Sequence, residues 1–239
     1  MSKLLNPEER KLIGETYCHL MLEILVRDEL ILNALNNAIP VTLAMKHIPK
    51  IHQVITGEFC YFQLRMICEL IALACLTAHG DIQETKSNRL QESYQADLII
   101  KALTKLHSKF YPTPSKQSEM KLDGKWQRTY LADGFLTKQE LLTLYRECGN
   151  FLHWGSHSLV VTKQRPMPDL SRIQQYSSKI WRLLDHHEIQ LIDPNYQIIG
   201  ILKDKTYERP QFAFAEKLGA GDWIIRDAID VNQPARKAD

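Results

Sequence analysis

The sequence predicts a mainly α fold, a helical bundle that is followed by a small C-terminal β-hairpin appendage. Three observations lead to this expectation. Apolar residues recur at helical spacing through most of the first 188 residues, and strong helix-start signals precede these segments. From about residue 189, short runs rich in β-branched residues replace the helical pattern. We therefore expect a helical bundle over residues 1–188 and a β-rich appendage over 189–239.

Two long helices open the predicted bundle. Asn6 and Pro7 form a helix start, because the asparagine side chain can cap the first turn and proline costs nothing at its first position. The apolar spacing that follows continues to about residue 36. From about residue 50 to 78 the sequence is apolar almost all round, which is typical of the central helix of a bundle. The most apolar part, 66–78, is too short to span a bilayer and predicts a buried segment.

A long connection separates the third predicted helix, which spans about 84–107, from the next helix near residue 137. Asp123 and Gly124 lie within the connection and suit a hairpin turn. It also alternates basic and aromatic side chains, as a surface that binds single-stranded RNA would. The candidate RNA-binding residues here are Lys121, Lys125, Trp126 and Arg128. A solvated loop with Trp126 packed on the bundle is the alternative interpretation.

Two further helices and several short strands complete the prediction. Thr137 and Glu140 form a capping box that begins the first of these helices. Asp169 or Ser171 can cap the second, whose apolar residues extend to Leu184. The runs 188–192 and 197–202 are predicted to pair as a hairpin, and further short segments follow at 211–215 and 223–229.

The helix that begins at Thr137 carries the residues with the clearest chemical potential. At about 100° per residue, Arg146, Asn150 and His153 gather on the side opposite the apolar residues. Arg146 and His153 are two turns apart, roughly 10 Å along the axis, so both can reach one anion such as a phosphate. Gly149 weakens the helix by about 1 kcal/mol relative to alanine, which suggests a close approach beside it. The alternative is an ordinary solvated helix face.

The segment from Arg146 to His153 resembles a motif of the HEPN superfamily, an arginine separated from a histidine by four to six residues near the end of a late helix. The resemblance implies an up-and-down helical bundle that forms a homodimer. It also implies that the Arg/His pairs of two protomers line a cleft that acts as a metal-independent endoribonuclease. Carried over by position, Arg146 and His153 would be the catalytic pair.

The chemistry of such a site can be stated from the residue types. A histidine titrates near neutral pH and can move the proton of a ribose 2′-hydroxyl, while an arginine can hold the scissile phosphate. Asn150 could orient either group. Attack by the 2′-oxygen would leave a 2′,3′-cyclic phosphate. A protein of this kind would serve as a toxin or an antiviral defence effector, for which a neutralising or regulatory partner protein is a natural companion.

A second hypothesis is a non-catalytic HEPN-like dimeric module that binds a nucleotide, RNA or a partner protein. Glu147 is its main argument, because a carboxylate directly after the arginine would repel RNA phosphate. Arg65 and Glu69 are candidate supporting residues, since they lie on a polar stripe of the central helix that could face Arg146 and His153. The alternative for this stripe is a half-buried ion pair that only holds helices together.

Composition limits the remaining possibilities. The formal charge of +2 is nearly balanced, so any RNA contact must come from a local patch. The five cysteines are odd in number and lack metal-ligand spacing, which predicts free thiols in a reducing compartment. The charged N-terminus lacks the apolar core of a signal peptide. We therefore expect a cytoplasmic protein with no metal, no cofactor and no membrane partner.

Overall fold

The computed structural model describes residues 5–36, 40, 42, 45, 50–117, 128–153, 167–203, 209–218 and 222–229. Helices and strands are both present in substantial number. The helices are α1 (Pro7–Leu35), α2 (Ile51–Ala78), a short 3-10 helix (Gln83–Lys86), α3 (Asn88–Gln91), α4 (Ala96–Leu106), α5 (Lys138–Leu152) and α6 (Leu170–Leu184). The strands are β1 (Thr113–Gln117), β2 (Arg128–Tyr130), β3 (His186–Gln190), β4 (Tyr196–Ile201), β5 (Gln211–Leu218) and β6 (Asp222–Ile229).

The two longest helices form where the sequence predicts them. At the start of α1, the Asn6 side chain accepts a hydrogen bond from the amide of Glu9, and the Glu9 side chain accepts one from the amide of Asn6. Helix α2 is long and apolar enough to cross a membrane, but 72% of its most apolar window is buried inside the protein. It is therefore the core helix of a soluble-like fold, and the prediction of a buried segment is confirmed.

The six strands form one antiparallel sheet in the order β2-β1-β3-β4-β5-β6. The pairing of β1 with β3 joins the two halves of this sheet through the partners Thr113 with Glu188 and Pro114 with His187. The predicted hairpin from β3 to β4 is confirmed by their antiparallel register. Strands β1 and β2 also pair antiparallel, whereas the predicted turn at 123–124 lies outside the described residues.

The predicted fold class, a HEPN-like up-and-down helical bundle with a small β-hairpin appendage, is wrong. A six-stranded antiparallel sheet packs with the helices, so the protein is mixed α and β. Two of its strands come from the connection between α4 and α5, which the sequence predicts as a loop. The predicted boundary between residues 188 and 189 falls inside β3, and the sheet joins strands from both sides of it.

Helix α1 packs against the sheet, and the core lies between the helices and the sheet. The Tyr17 ring lies 5.2 Å from the ring centroid of Phe212 in β5, and the Tyr17 hydroxyl is hydrogen-bonded to His187 in β3. At the edge of this contact, Arg10 forms an ion pair with Asp227 of β6 at 2.6 Å. Most buried apolar side chains of the helices and strands belong to a single hydrophobic cluster.

All five cysteines lie in this part of the molecule and carry free thiols, as the sequence predicts. Each is buried, and burial raises the pKa of the Cys60 and Cys148 thiols to about 12. The Cys60 and Cys148 thiols are therefore protonated at neutral pH and pack as small apolar groups in the core.

Candidate functional site on helix α5

Helix α5 is held in place by its first turn and by its apolar face. The predicted capping box is present, with the Glu140 amide donating to the Thr137 hydroxyl at 3.2 Å and the Thr137 amide donating to the Glu140 carboxylate at 2.9 Å. The buried residues of α5 are Leu141, Leu144, Tyr145 and Cys148, and they pack in the common core. This packing leaves the opposite face of α5 in solvent.

Arg146, Asn150 and His153 are exposed, as expected from the helical spacing. The Arg146 guanidinium lies along the preceding turn, where Nε donates to the Leu142 carbonyl at 3.2 Å and Nη2 to the Thr143 hydroxyl at 3.5 Å. Within the described ranges no carboxylate lies at ion-pair distance from it. In this conformation the guanidinium points toward the start of α5, whereas His153 lies at the other end of the helix.

His153 marks the end of α5. Its amide donates to the Gly149 carbonyl at 3.2 Å, but its backbone is already extended, with φ at −84° and ψ at 110°. The helical wheel therefore applies only as far as Leu152, and the direction of the imidazole depends on the chain that leaves the helix. The predicted helix stop at Gly155 lies outside the described residues.

Glu147 does not face solvent as an isolated negative charge. Its Oε2 atom accepts a hydrogen bond from Arg172 Nη2 at 2.9 Å and another from the Tyr176 hydroxyl at 3.2 Å, both from α6. The Arg172 guanidinium also lies 5.6 Å from the centroid of the Tyr176 ring. The carboxylate is thus partly neutralised by a guanidinium, which weakens the repulsion of phosphate that the sequence suggests.

Arg65 and Glu69 belong to α2 and face the side of α5 that packs against it. Arg65 Nη2 donates to the Tyr145 hydroxyl at 2.9 Å, and this hydroxyl donates to Glu69 Oε1 at 3.0 Å. Burial, followed by the neighbouring Glu69 carboxylate, raises the pKa of Tyr145. Among the described residues, both side chains are hydrogen-bonded to Tyr145 rather than to Arg146 or His153. They position α5 against α2.

Gly149 allows the close approach that its position in the helix suggests. A Cβ atom added there would lie 3.0 Å from Arg65 Nη1, so the group that comes close is a guanidinium of the protein itself. A second close contact lies nearby, where a Cβ atom at Gly57 of α2 would lie 2.2 Å from Pro168. These two glycines allow α5 and the segment just before α6 to pack closely against α2.

The predicted RNA-binding connection is only partly described. Lys121, Lys125 and Trp126 lie outside the described residues. Arg128 lies in β2, where its Nη1 atom donates to Glu188 Oε1 at 2.6 Å, and the Tyr130 hydroxyl donates to Glu188 Oε2 at 2.9 Å. The Glu188 side chain is buried, so Arg128 neutralises a carboxylate of the sheet and is not an unpaired cation.

A cavity of about 360 Å³ lies beside Asn150, between α5, α2 and the start of α6. Its lining residues are Tyr61, Glu147, Asn150, Phe151, Met167, Asp169 and Arg172. The rings of Tyr61 and Phe151 form one wall, with centroids 4.5 Å apart. Asp169 caps α6, and hydrogen bonds from the Arg172 amide and the Ser171 hydroxyl lower the pKa of its carboxyl group. A ligand of small-molecule size fits a cavity of this volume.

Sequence reasoning missed Arg172 as a member of this site. Its only local signal is its place three residues after the capping Asp169, which predicts a helix start and says nothing of α5. Its partner Glu147 lies 25 residues earlier on another helix. A single sequence gives no sign that these two charges meet, because the contact depends on how α5 and α6 pack.

The fold is mixed α and β, and the exposed face of α5 carries the candidate residues Arg146, Asn150 and His153. Comparisons with family models, with curated proteins and with solved structures found no match.

Proposed function

We propose that the protein is a metal-independent endoribonuclease in which Arg146 and His153 act on the sugar-phosphate backbone of RNA. This is the activity implied by the resemblance of the Arg146–His153 segment to the HEPN motif. The role that goes with it is that of a toxin or a defence effector acting in the cytoplasm. The five buried free thiols support a reducing compartment.

The observation that carries the proposal is the pairing of Glu147 with Arg172 next to an exposed arginine and histidine. RNA phosphate carries one negative charge per nucleotide, and an unpaired carboxylate at position 147 would oppose its approach. Because Arg172 offsets this charge at 2.9 Å, the positive charge of Arg146 dominates the exposed face. A phosphate can then approach Arg146, and the exposed imidazole of His153 lies on the same helix face.

The proposed reaction needs one movement of the arginine. Arg146 leaves its exposed hydrogen bonds to Leu142 and Thr143 and turns toward a phosphate near Asn150. Each such bond contributes only about 0.5–1.5 kcal/mol net, so a charged bidentate contact with phosphate can replace them. His153 takes the proton of the ribose 2′-hydroxyl, the 2′-oxygen attacks phosphorus, and the 5′-oxygen of the next nucleotide leaves and takes up a proton from water. The products are a 2′,3′-cyclic phosphate and a 5′-hydroxyl.

A second candidate function is a non-catalytic dimeric module that binds a nucleotide, RNA or a partner protein. The direction of Arg146 favours it, because the guanidinium lies on the turn before Arg146 and His153 lies beyond the last turn. In this case both side chains would contact a ligand without converging on one phosphate.

Cleavage of RNA in the presence of EDTA separates the two functions. Labelled single-stranded RNA is incubated with wild-type protein and with the Arg146→Ala and His153→Ala variants. We expect cleavage by wild type and a loss of at least 100-fold in each variant, since general acid–base catalysis contributes about 10²–10⁴-fold. Arg89→Ala and His19→Ala are matched controls, because both residues are exposed and lie on other helices.

The outcome is decisive in either direction. RNA that binds without being cut supports the module, and cleavage that survives His153→Ala contradicts the proposed chemistry. A homodimer is part of the proposal as well, and light scattering of the purified protein measures it directly. A neutralising or regulatory partner protein would be sought by co-expression that restores growth to cells in which wild-type protein is toxic.

A further inference from the structure

A cavity of about 410 Å³ lies between α4 and residues 84–93, which precede that helix. Its volume is in the range of small-molecule sites. The surface inside it is mainly apolar and comes from Leu90, Leu98, Ala102 and Leu106. Its described lining contains no residue of α5, so this cavity is separate from the proposed RNA site.

The apolar part of the cavity is a stripe along α4. Leu98, Ala102 and Leu106 are four residues apart, so they follow one another along the helix over about 12 Å. Residues on the opposite side of α4, such as Ile99 and Leu103, are buried in the common core. Leu98 is 38% exposed, so the protein itself covers this stripe only in part. An alkyl chain along the stripe would remove it from water.

Ser93 contributes an unsatisfied polar atom to the same cavity. Its hydroxyl oxygen is buried and has no hydrogen-bond partner among the described residues. A buried hydroxyl without a partner is less stable than a paired one. A ligand oxygen beside Ser93 would provide the missing partner, which indicates a ligand with a polar end.

Unpaired cations at the cavity indicate the charge of that polar end. Arg89 and Lys105 are exposed lining residues, and neither has a carboxylate at ion-pair distance in the described part of the chain. Lys101 also lines the cavity, but its ammonium lies 3.0 Å from the Asp97 carboxylate. Glu84 is the one carboxylate in the described lining. The two unpaired cations therefore favour an anionic group on the ligand.

We infer that this cavity binds a medium-chain fatty acid in its carboxylate form, independently of the proposed ribonuclease activity. The alkyl chain lies along the stripe of Leu98, Ala102 and Leu106. At a C–C bond length of about 1.5 Å, a zigzag chain of roughly ten carbons spans this stripe. One carboxylate oxygen accepts a hydrogen bond from the Ser93 hydroxyl. The other is neutralised by the cations at the cavity, for which Lys105 serves as the test.

Calorimetry on the full chain tests the site with hexanoate, octanoate and decanoate, each below the concentration at which it forms micelles. A fully buried methylene raises affinity by up to about fourfold. Because the cavity is open on one side, we expect a rise of at least threefold for every two methylenes. Decyltrimethylammonium has a chain of the same length with a cationic head, and it should bind at least 10-fold more weakly than decanoate.

Three variants test the parts of the site with decanoate as the probe. Ala102→Leu fills the stripe and should weaken binding at least 10-fold, whereas Thr104→Leu, on α4 outside the described lining, is the matched control. Lys105→Met should weaken binding at least threefold, with exposed Lys109→Met as its control. Ser93→Ala should weaken binding at least threefold without lowering the urea midpoint of the free protein, because it removes an unpaired hydroxyl.

The outcomes decide the inference separately from the proposed function. Equal affinity for decanoate and decyltrimethylammonium, or an affinity that does not rise with chain length, overturns the fatty-acid site. Decanoate binding that survives Ala102→Leu also overturns it, because the ligand then lies elsewhere. Tighter binding of decyl phosphate than of decanoate contradicts the carboxylate head group. None of these measurements involves RNA, so failure of this site leaves the ribonuclease proposal in place, and absence of RNA cleavage leaves this site in place.

Discussion

Two histidines of this protein lie in contrasting environments, His187 between the helices and the sheet and His153 at the end of α5. His187 is fully buried, and both of its ring nitrogens have partners: Nδ1 donates to the Leu184 carbonyl at 3.0 Å and Nε2 accepts from the Tyr17 hydroxyl. His153 is exposed, with no side-chain partner in the described part of the chain. The first histidine is fixed in one tautomer and holds layers together. The second is free to meet a ligand.

The comparison teaches that the partners of a histidine, more than its position in a helical pattern, decide what it can do. Burial lowers the pKa of His187 to about 4, although the hydrogen bond to the Leu184 carbonyl acts in the opposite direction. The ring is therefore neutral in the folded protein at pH 7 and cannot exchange a proton with a substrate. The exposed α5 face places an accessible imidazole, an accessible guanidinium and an amide within two turns of one helix.

The largest effect should come from removing the buried histidine. His187→Ala leaves the Tyr17 hydroxyl and the Leu184 carbonyl without their partner and opens a space next to Gly200, whose missing side chain makes room for the imidazole. We expect a loss of about 3–5 kcal/mol in the free energy of unfolding, from the cavity and the unpaired groups together. Urea denaturation at pH 7 measures it.

The matched control is His153→Ala, which should change the free energy of unfolding by less than about 0.5 kcal/mol because its side chain is exposed. Similar losses in the two variants would show that the two environments do not differ as described.

The pH dependence of stability should follow the buried histidines. His187 and His79 have folded-state pKa values of about 4, lowered mainly by burial, against about 6.5 in the unfolded chain. A histidine with a lowered pKa stabilises the fold above pH 6.5, and this contribution is lost as pH falls toward 4. Each contributes about 3 kcal/mol by linkage. Urea midpoints between pH 7.5 and 4.5 measure the loss.

His187→Gln and His79→Gln provide the comparison at each pH, since glutamine does not titrate. Burial raises the pKa of Asp28 and Asp81, and these groups act in the opposite direction because they stabilise the fold when protonated. The difference between wild type and variant removes this common contribution. A difference that stays constant from pH 7.5 to 4.5 contradicts the neutral buried histidines.

A smaller effect should distinguish supporting residues from reacting ones. Tyr145→Phe removes the hydroxyl that joins Arg65 to Glu69, and we expect a loss of about 1–3 kcal/mol in the free energy of unfolding. The rate of RNA cleavage at saturating RNA should stay within about threefold of wild type, since the hydroxyl lies on the packed side of α5. Tyr94→Phe, at a tyrosine that is 63% exposed, is the control for stability.

The smallest effect concerns the ion pair between α5 and α6. Arg172→Ala leaves the Glu147 carboxylate unpaired beside Asn150, and we expect RNA to bind about threefold to fivefold more weakly, as suits an exposed ion pair of at most about 1 kcal/mol. The double variant Arg172→Ala with Glu147→Gln should restore binding. Filter binding with the non-cleaving His153→Ala background measures both. An unchanged affinity in the single variant would show that the charge of Glu147 does not oppose RNA binding.

Much of the helical part of the molecule could be predicted from the sequence. Local signals define these elements, such as the capping box of Thr137 and Glu140 and the all-round apolar pattern of α2. The close approach at Gly149 could also be predicted, because glycine in a helix interior destabilises the helix and therefore suggests a packing reason. The group that approaches could not be predicted, since Arg65 lies 84 residues earlier in the chain.

The extension of the sheet to β1 and β2 could not be predicted, because these strands depend on contacts between distant segments. Strand β1 contains Pro114 and several polar residues, a composition that argues against a strand inside a sheet. It becomes one because β3 and β2 pair on its two sides. The same limit applies to the candidate site, where the ion pair of Glu147 with Arg172 arises only when α5 and α6 pack together.

Dependence of cleavage on a single ribose 2′-hydroxyl tests the central claim most directly. A single-stranded RNA and the same strand with one 2′-deoxynucleotide at a position where the RNA is cut are incubated with wild-type protein and EDTA. We predict that the all-ribose strand is cut at that position to leave a 2′,3′-cyclic phosphate, identified by mass spectrometry, and that the deoxy strand stays intact there. Equal cleavage of both strands, or products that end in a 3′-hydroxyl, would contradict the proposed role of the α5 face.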